Sequence, residues 1–492
     1  MGLFGKKKRG TPPPCCGRTP ETAVWVGADK TAASVKVLGS GCARCSALEA
    51  AVRAALAELG VDAAIEHVTD FMQIAAYGVM TTPALVVGGR VVSCGRVPGQ
   101  AELREMLREA LEKETLEQGP AVGYTGPSIT MGKRLGRMDL SPNQMLRLAP
   151  NKVDYLIPGG EMINEFLGEG PGARVCSQMW IASLVTSALQ PGTATGLSRV
   201  AGTDVFLRDC LAENPAAWLG EAHAAHWGVS LGFLLKLLHS RDRLLLQTHP
   251  DGARARKYFG LPSGKDEAWY VLDTRPGACI WLGFRPGVTP AYFRGLIERQ
   301  DTAALLDCLH QIPIRPGEVY FIPAGTAHAM GIDSLVAELQ EPVDITLRAE
   351  YIRPDGSRLP VESMYGPAGM DGLLDCFHFD CLPREELLAR HRFRPAPGAE
   401  EPWRKRLITP EQTPRFYMDE VELRREAHGS ALCVNHGFQV LLVLEGEAEF
   451  QWEGGSLRAR RGEELFVPHG VASYQCTAEG TCRLLECGLP GV

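Results

Sequence analysis

Apolar residues in the first quarter of the chain form short runs and one helical stripe. The runs are Val35–Leu38, Ile65–Val68, Ala84–Val87 and residues 91–93. After the first run, apolar residues recur every three or four positions from near Cys42 to Gly60, which predicts a helix. Gly88-Gly89 separates the last two runs and predicts a hairpin. The order over residues 34–111 is strand, helix, strand, helix, strand, strand, helix, which predicts an α/β domain.

Beyond residue 150, the pattern changes to short aromatic and β-branched runs between turns rich in proline and glycine. Residues 269–272 and 278–282 are two such runs, and residues 317–325 form a third that ends in Pro-Ala-Gly. The spacing from glycine to proline to glycine returns in the C-terminal stretch, at residues 441–446 and 462–470. These repeats predict two antiparallel β-barrels, one after the other.

Composition and charge argue against several classes of function. The 492 residues carry a net charge of −7, which gives no basic surface for nucleic acid, and no apolar run is long enough to span a membrane. Residues 1–9 begin like a signal peptide, but prolines stand where an apolar segment would be required. Fifteen cysteines without regular spacing are typical of buried thiols in a reducing compartment. We therefore expect a cytoplasmic protein that binds neither nucleic acid nor membrane.

A pair of cysteines lies where the first strand meets the first helix, in Cys42-Ala43-Arg44-Cys45. The helix N-terminus would stabilise a thiolate at Cys42, and the spacing lets Cys45 act as the resolving thiol. Together with Pro83, this motif resembles the small redox-active proteins of the thioredoxin family. The resemblance implies a cis Pro83 that faces the cysteines, and a thiol-redox partner. Two incidental cysteines in a structural domain are the alternative, and Cys15-Cys16 is either an accessory thiol site or without function.

Donor residues in the first barrel have the spacing of a metal site. In a strand over residues 244–249, Gln247 and His249 would point to the same face. Glu267 and His328 would arrive from other strands, and one coordination position would stay open for substrate. Two imidazoles, a carboxylate and an amide oxygen suit Zn²⁺, although Mn²⁺, Fe²⁺ or Co²⁺ are chemically admissible. We expect one ion per chain.

Four further motifs carry a family resemblance. They are residues 153–160, Ser177-Gln178-Met179-Trp180, Leu234-Leu235-Lys236-Leu237-Leu238 and Gln247-Thr248-His249-Pro250-Asp251. Over most of residues 150–380 they resemble type I mannose-6-phosphate isomerases, zinc-dependent proteins with two cupin barrels. The resemblance implies the interconversion of mannose 6-phosphate and fructose 6-phosphate, so a sugar phosphate is the expected partner. It implies that the four donors bind the metal, and it adds the site residues Lys236, Lys265, Glu338, Asp344 and Arg348, with Ser177 and Trp180 at the substrate.

The two resemblances predict a multidomain chain in which a thioredoxin-like α/β domain precedes a mainly-β two-cupin isomerase with a helical segment. We expect a flexible tail at residues 1–30, the thioredoxin-like domain at 31–114 and a linker rich in Gly-Pro pairs at 115–150. The catalytic cupin would occupy residues 151–380, and a cupin without metal residues 381–492. In the second cupin, Ser473 stands at the position of the metal-binding histidine, and the nearby His469 lies instead between Pro468 and Gly470. That barrel is therefore expected to be a scaffold.

Aldose–ketose isomerisation through an enediol needs a base that moves one proton between adjacent carbons, and a group that stabilises the enediolate. The metal would act as a Lewis acid, and Arg348 would hold the enediolate or orient the reacting end of the sugar. Glu338 and Lys265 are both candidates for the base. A surface salt bridge is the alternative role for Lys265 and for Arg348.

Two departures from the family pattern concern the substrate. Leu245 stands where many of these isomerases have a serine, and Gln178 stands where an acidic residue is usual. An isomerase or epimerase of another sugar is therefore one alternative. A non-catalytic sugar-binding cupin, whose activity resides in the CxxC motif, is a second alternative from a different class.

Overall fold

The computed structural model describes residues 35–39, 43–59, 61, 65–68, 83–87, 90–100, 102–104, 106–108, 140–190, 193–395, 397–398 and 401–490. The expected tail, the pair Cys15-Cys16, Cys42, the turn at Gly88-Gly89 and residues 115–139 of the expected linker lie outside these ranges. Contacts divide the chain into two compact units, and the second takes in the described residues of Arg134–Leu189 and Ala194–Val492. No helix in the described part of the chain is long and apolar enough to cross a membrane.

The first unit is a four-stranded sheet with a helix packed on it. Its elements are β1 (Val35–Leu38), α1 (Ala43–Glu58), β2 (Ile65–Val68), β3 (Ala84–Val87) and β4 (Arg90–Cys94). The sheet order is β2-β1-β3-β4, with β1 parallel to β2 and antiparallel to β3. Leu48 and Val52 of α1 are buried against Val37 and Leu85, because the apolar stripe of the helix faces the sheet. The predicted α/β domain is confirmed.

The second unit contains the remaining elements. Its helices are α2 (Glu161–Leu167), α3 (Leu207–Glu213), α4 (Pro215–Leu219), α5 (Glu221–Trp227), α6 (Gly252–Phe259), α7 (Pro290–Arg299), α8 (Thr302–Asp307), α9 (Glu362–Tyr365), α10 (Gly369–Asp375) and α11 (Arg384–His391). Its first strands are β5 (Leu146–Arg147), β6 (Lys152–Val153), β7 (Gln178–Ile181), β8 (Leu234–His239), β9 (Gln247–Thr248), β10 (Glu267–Thr274), β11 (Cys279–Phe284), β12 (Leu309–Pro313), β13 (Val319–Ile322), β14 (His328–Met330), β15 (Ser334–Gln340), β16 (Leu347–Arg348) and β17 (Arg392–Phe393). The C-terminal strands are β18 (Arg404–Ile408), β19 (Tyr417–Arg424), β20 (Ser430–Val434), β21 (Gln439–Glu445), β22 (Glu447–Trp452), β23 (Gly455–Arg460), β24 (Glu464–Val467), β25 (Ser473–Ala478) and β26 (Thr481–Gly488).

These strands form two barrels, each made of two sheets. The first barrel combines the sheet β17-β13-β10-β15-β8-β7-β6 with the sheet β12-β11-β14-β9-β16. The second combines β18-β19-β26-β21-β24-β5 with β20-β25-β22-β23. Alternation of side chains sends every second residue of a strand into its barrel and the others to the outside. The expected two-barrel fold class is confirmed.

One hydrophobic cluster crosses from barrel to barrel. It contains Leu237 and Leu339 of the first barrel and Val440 and Leu485 of the second, all buried. A polar contact lies beside it, where the Tyr270 hydroxyl donates to Glu420 at 2.6 Å. The larger sheets of the two barrels therefore pack against each other through their outer faces.

Three boundaries differ from the sequence prediction. β5 pairs with β24, so the end of the expected linker is a strand of the second barrel. β17 pairs with β13, so the first barrel extends beyond residue 380. The strand expected over residues 244–249 is limited to Gln247 and Thr248. Immediately upstream, the Leu246 amide donates to the Glu350 carboxylate at 2.6 Å and not to the backbone of a neighbouring strand.

Glu464, at the start of β24, is a buried acid without an ion-pair partner among the described residues. Its Oε2 accepts from the Ala182 amide at 2.9 Å, and its Oε1 has no hydrogen-bond partner in the described structure. Burial raises the pKa of Glu464 to about 8, although the Ala182 amide opposes this effect. The folded protein therefore keeps a proton here that the unfolded chain loses near its ordinary pKa of 4.5.

We predict that the stability that Glu464→Gln gains relative to the wild type increases as pH rises. Between pH 4.5 and about 8 the unfolded wild-type chain loses the proton while the folded state retains it, so wild-type stability falls across this window. A glutamine does not titrate, and the variant should therefore gain in melting temperature relative to the wild type from pH 5 to pH 8. Calorimetry at several pH values tests this, with exposed Glu479→Gln as control. An equal gain at every pH would contradict the prediction.

Candidate metal centre and active site

The larger sheet of the first barrel aligns four side chains in one row. Trp180 of β7 pairs with Lys236 of β8, Lys236 pairs with Glu338 of β15, and Glu338 pairs with Trp269 of β10. Directly paired residues point to the same face of a sheet, so these side chains line the barrel interior together. Glu267 precedes Trp269 by two residues and therefore faces the same way.

The smaller sheet supplies the opposing row. His328 of β14 pairs with Gln247 of β9, which pairs in turn with Arg348 of β16. His249 lies two residues after Gln247, just beyond the short strand. The two rows meet across the barrel, because the Nε2 atoms of His249 and His328 each lie 3.1 Å from an oxygen of Glu267. Their donor atoms all lie within 4.8 Å of one another, a group that could hold a metal ion.

Backbone carbonyls orient both imidazoles. His249 Nδ1 lies 2.9 Å from the Ile345 oxygen, and His328 Nδ1 lies 2.9 Å from the Thr326 oxygen. A carbonyl only accepts, so each Nδ1 carries the hydrogen and each Nε2 presents a lone pair to the centre. Burial, together with the nearby Lys265 ammonium, lowers the pKa of His249 to about 3, so this imidazole is neutral.

The Glu267 carboxylate faces these lone pairs. Its Oε1 is buried without a hydrogen-bond partner in the described structure, and His328 Nε2 lies 3.1 Å away. Burial opposes ionisation of Glu267, but the Lys265 ammonium outweighs it and holds the pKa of Glu267 well below the ordinary range. An anionic oxygen and a nitrogen lone pair at this distance repel each other unless a cation lies between them. The donor set therefore fits a metal ion.

Gln247 is the fourth expected ligand. Its Nε2 lies 3.1 Å from His328 Nε2, beside the same centre. The nitrogen and oxygen of a glutamine amide occupy nearly equivalent positions, so a half-turn of the amide places the oxygen there. Gln247 can therefore complete the group as a neutral oxygen ligand.

Lys265 lies against the same acceptors. Its ammonium donates to Glu267 Oε2 at 2.6 Å and lies 3.0 Å from His249 Nε2. Glu338 Oε1 is 3.9 Å away. Burial lowers the pKa of Lys265, but Glu267 and Glu338, with a smaller effect from Tyr155, raise it above the ordinary value. Lys265 is thus a buried hydrogen-bond donor and not a surface salt bridge.

Glu338 connects Lys265 to the rest of the row. Its Oε1 lies 3.4 Å from the ammonium of Lys236, and its Oε2 accepts from the indole of Trp269 at 3.2 Å. Lys236 also lies 3.6 Å from Asp344 and above the ring of Trp180, at 4.8 Å from its centroid. The two lysines of the site therefore each have carboxylate partners.

Arg348 differs from the lysines because it has no acidic partner among the described residues. Its guanidinium is buried and donates to the carbonyls of Thr346, at 3.4 Å, and Ser363, at 3.2 Å. Its third partner is the hydroxyl of Tyr155, at 2.9 Å. A buried cation with only neutral partners carries an uncompensated charge, which favours an anionic ligand.

The structure brings most of the expected residues together, but not all of them. Ser177 precedes β7, and its buried hydroxyl has no hydrogen-bond partner among the described residues. Gln178 accepts from the Trp180 indole at 2.7 Å, so its amide positions that ring. Tyr155 was not expected from the sequence, because it belongs to a loop and is not spaced with any other donor.

The redox residues lie in the first unit and are described in part. Leu38 pairs with Ala84, so buried Pro83 lies at the sheet end where β1 leads toward α1. Cys45 is buried in the first turn of α1, and Arg44 donates to the Gly95 carbonyl at 2.8 Å. The described geometry thus places Pro83 and Cys45 at the same end of the sheet.

Known proteins resemble both parts of the chain. Residues 33–108 match the family model described as Thioredoxin domain. Thioredoxin of Methanothermobacter thermautotrophicus is 37% identical over 73 residues, which are 15% of this chain and 95% of that protein. Mannose-6-phosphate isomerase ManA of Bacillus subtilis is 32% identical over 250 residues, which are 51% of this chain and 73% of that protein. A crystal structure of mannose 6-phosphate isomerase bound with zinc and yttrium has a TM-score of 0.53 and 18% identity, covering 70% of this chain and all of that one.

The fold and the donor cluster define a two-cupin protein with a candidate metal centre, preceded by a thioredoxin domain. The chain belongs to the mannose-6-phosphate isomerase family, and its N-terminal part to the thioredoxin family. Both resemblances expected from the sequence are confirmed.

The second barrel has different residues at the corresponding positions. Gln439 pairs with the residue before Pro468, as Glu267 pairs with the residue before Pro323, so the amide replaces the carboxylate. The Tyr474 hydroxyl donates to Gln439 at 3.2 Å, whereas Ser473 and His469 are exposed. Ser473 follows Pro468 at the same spacing at which His328 follows Pro323, but its side chain is exposed. The inward position after the turn is taken by Tyr474, one residue later.

An arginine lies at the centre of the polar cluster in the second barrel. Asp419 and Glu486 are direct cross-strand partners, at the positions that Lys236 and Glu338 hold in the first barrel. The buried guanidinium of Arg404 lies 2.8 Å from Glu486 and 3.1 Å from Asp419. It supplies the positive charge that this pair of carboxylates requires.

We predict that Arg404→Met destabilises the protein by about 3–5 kcal/mol, because two buried carboxylates lose their shared counter-ion. Arg406 also binds Asp419 but is half exposed, so the matched control Arg406→Met should cost only about 1 kcal/mol or less. The triple variant Arg404→Met, Asp419→Asn, Glu486→Gln should be more stable than the single one. Urea unfolding measures all three, and equal losses for the two arginines would refute the assignment.

Proposed function

We propose that this chain is a metal-dependent isomerase that interconverts mannose 6-phosphate and fructose 6-phosphate. The observation that carries the proposal is the buried group of His249, Glu267 and His328, whose acceptor atoms face one another beside the uncompensated guanidinium of Arg348. Such a site suits a substrate with neighbouring sugar oxygens and an anionic group. The names of the relatives support the same reaction.

His249, Glu267, His328 and Gln247 would hold one ion, and zinc is the metal that we propose. Two imidazoles and one carboxylate are typical ligands of catalytic zinc, and the relative of known structure is described with zinc bound. When bound, the ion would supply Lewis-acid polarisation of the sugar oxygens.

The chain's own residues then have separate tasks. Glu338 is the proposed base, because its carboxylate lies in the row that faces the donor cluster, with Oε1 3.4 Å from the Lys236 ammonium and 3.9 Å from the Lys265 ammonium. It would take the proton from carbon 2 of the aldose and return it to carbon 1 of the enediolate. Arg348 would bind an anionic oxygen of the substrate, and Lys265 would donate hydrogen bonds at the reacting end. Lys236, Asp344 and Trp180 would fix Glu338 and the walls of the site.

The sugar specificity has one competing possibility. Leu245 is buried and offers no hydrogen bond where a serine is common in the family, which favours an isomerase of another sugar phosphate as second candidate. Comparison of rates with mannose 6-phosphate and with other aldose phosphates separates the two. If the protein binds these sugar phosphates but converts none of them, the non-catalytic sugar-binding cupin would be the remaining alternative.

For the thioredoxin domain we propose dithiol–disulfide exchange at Cys42 and Cys45, with Pro83 beside the pair. The metal group contains no cysteine, so isomerisation has no evident use for a disulfide. We therefore propose that the two activities are independent and that the redox partner is a separate thiol protein.

The metal assignment predicts the behaviour of Glu267→Ala in the full-length protein. This substitution removes the anionic donor and should abolish stoichiometric metal and lower isomerase activity by at least about 100-fold, with the fold retained. Metal analysis, circular dichroism and an assay with mannose 6-phosphate provide the measurements. Glu298→Ala, on the exposed face of α7, should keep both metal and activity. Normal zinc content in Glu267→Ala would show that the ligands are other residues.

Independence of the two activities predicts that oxidation of the full-length protein leaves the isomerase rate unchanged. The measurement compares the rates of protein treated with oxidised and with reduced dithiothreitol, while thiol titration follows the cysteines. Cys42→Ser serves as control, since it blocks the proposed disulfide. A large change in rate that disappears in Cys42→Ser would mean that the domains are coupled.

A further inference from the structure

Tyr155 belongs to a loop between β6 and α2 that is fixed on both sides. Before it, the Asp154 carboxylate accepts from the Cys176 thiol at 3.1 Å and from Arg174 at 2.6 Å. After it, Ile157 is buried in the core of the first barrel. Such anchoring holds the backbone of Tyr155 in one place before any ligand binds.

The end of this loop is equally constrained. The Gly160 amide donates to His239 Nδ1 at 2.7 Å, and the Arg241 amide donates to the Pro158 carbonyl at 2.9 Å. A Cβ at Gly160 would lie 2.1 Å from the carbonyl oxygen of Cys176, and its φ is +116°, so only glycine fits. The position of Tyr155 is therefore determined by the fold and not by a flexible segment.

The direction of the hydrogen bond between Arg348 and Tyr155 is unambiguous. A guanidinium has only donors, so the phenol oxygen is the acceptor in the 2.9 Å contact. The hydroxyl hydrogen must then point away from Arg348. The contact with Arg348 is the only hydrogen bond of this hydroxyl within the described structure, which leaves the hydrogen available to a ligand.

The surroundings of the hydroxyl favour an anion. Arg348 has no acidic partner among the described residues, and its other hydrogen bonds go to backbone carbonyls. Tyr155 is half-buried, as are Asp344, Ile345 and Thr346, whereas the metal-binding group is buried. Tyr155 is thus at the more accessible side of the site, where its hydrogen and the Arg348 guanidinium can reach the same oxygen.

We propose that Tyr155 binds the substrate, by donating a hydrogen bond to the anionic oxygen that Arg348 also contacts. The proposal rests on the proposed function for the identity of the substrate. The oxygen belongs either to the phosphate group, which is charged throughout the reaction, or to the enediolate, which is charged only during it. The chemistry of recognition is the same in both cases, namely one charged and one neutral donor on an oxyanion.

The test is Tyr155→Phe in the full-length, metal-loaded protein. Loss of a hydrogen bond to a charged group should lower kcat/KM for mannose 6-phosphate by about tenfold or more. If the oxygen is that of the phosphate, KM should rise, and inorganic phosphate should inhibit more weakly. If it is the enediolate oxygen, kcat should fall with KM unchanged. Metal content should equal that of the wild type in either case.

The matched control is Tyr258→Phe, whose hydroxyl donates to Asp375 at 2.9 Å on α10. It removes the same atom away from the site and should leave both kinetic constants unchanged. Unaltered kcat, KM and phosphate inhibition in Tyr155→Phe would overturn the proposal. If the wild type fails to isomerise mannose 6-phosphate, the proposed function is wrong. The role of Tyr155 is then tested separately, by calorimetric measurement of the affinity of both proteins for mannose 6-phosphate. Equal affinity of wild type and Tyr155→Phe would then overturn it.

Discussion

The structure of the first barrel depends on the burial of one carboxylate, Glu267, among acceptors. A fully buried charge is stable only with compensation, and removal of its solvent shell costs several kcal/mol. Lys265 satisfies one oxygen, at 2.6 Å, whereas the other faces the lone pair of His328. These atoms come together from distant parts of the chain. Side chains alternate between the two faces of β10, and the short strand β9 and the turn before His328 bring the other donors to the inner face. The fold therefore buries a negative charge on Glu267 that Lys265 satisfies at one oxygen only. A metal ion can supply positive charge at the other oxygen.

The two barrels solve the same problem of internal charge in different ways. In the first, Lys236 and Glu338 carry opposite charges on neighbouring strands. The carboxylate of Glu267, two residues before Trp269 of the same row, is left available for a metal ion. In the second, the corresponding pair is Asp419 and Glu486, and Arg404 of β18 neutralises it from within the chain. An arginine of the chain itself occupies the centre of this barrel, which agrees with a scaffold role for the second barrel.

Periodicity in the sequence identified β10, β11 and β13, because apolar runs between Pro and Gly turns leave little choice of element, but the strand expected at residues 244–249 is limited to Gln247 and Thr248. The spacing of Gln247 and His249 likewise identified neighbours that the structure places beside Glu267 and His328. Sequence spacing could not show that Ser473 is exposed, because the turns after Pro323 and Pro468 have the same length and only the structure shows that the inward position falls on Tyr474. It also could not reveal Tyr155 or Arg404. Only tertiary contacts show that Tyr155 reaches Arg348 and that Arg404 reaches Glu486.

The contact of Tyr270 with Glu420 shows that one strand, β10, contacts both the interior of the first barrel and the second barrel. Along β10, Glu267 and Trp269 face the donor cluster, while Ala268 and Tyr270 face the second barrel. A single strand thus serves two neighbours at once. Substitutions on either face can be tolerated independently, but insertion or deletion of one residue would turn every following side chain to the wrong neighbour. Evolution of this segment should therefore proceed by replacement at fixed length, and natural length variation among relatives should be confined to the loops at its two ends.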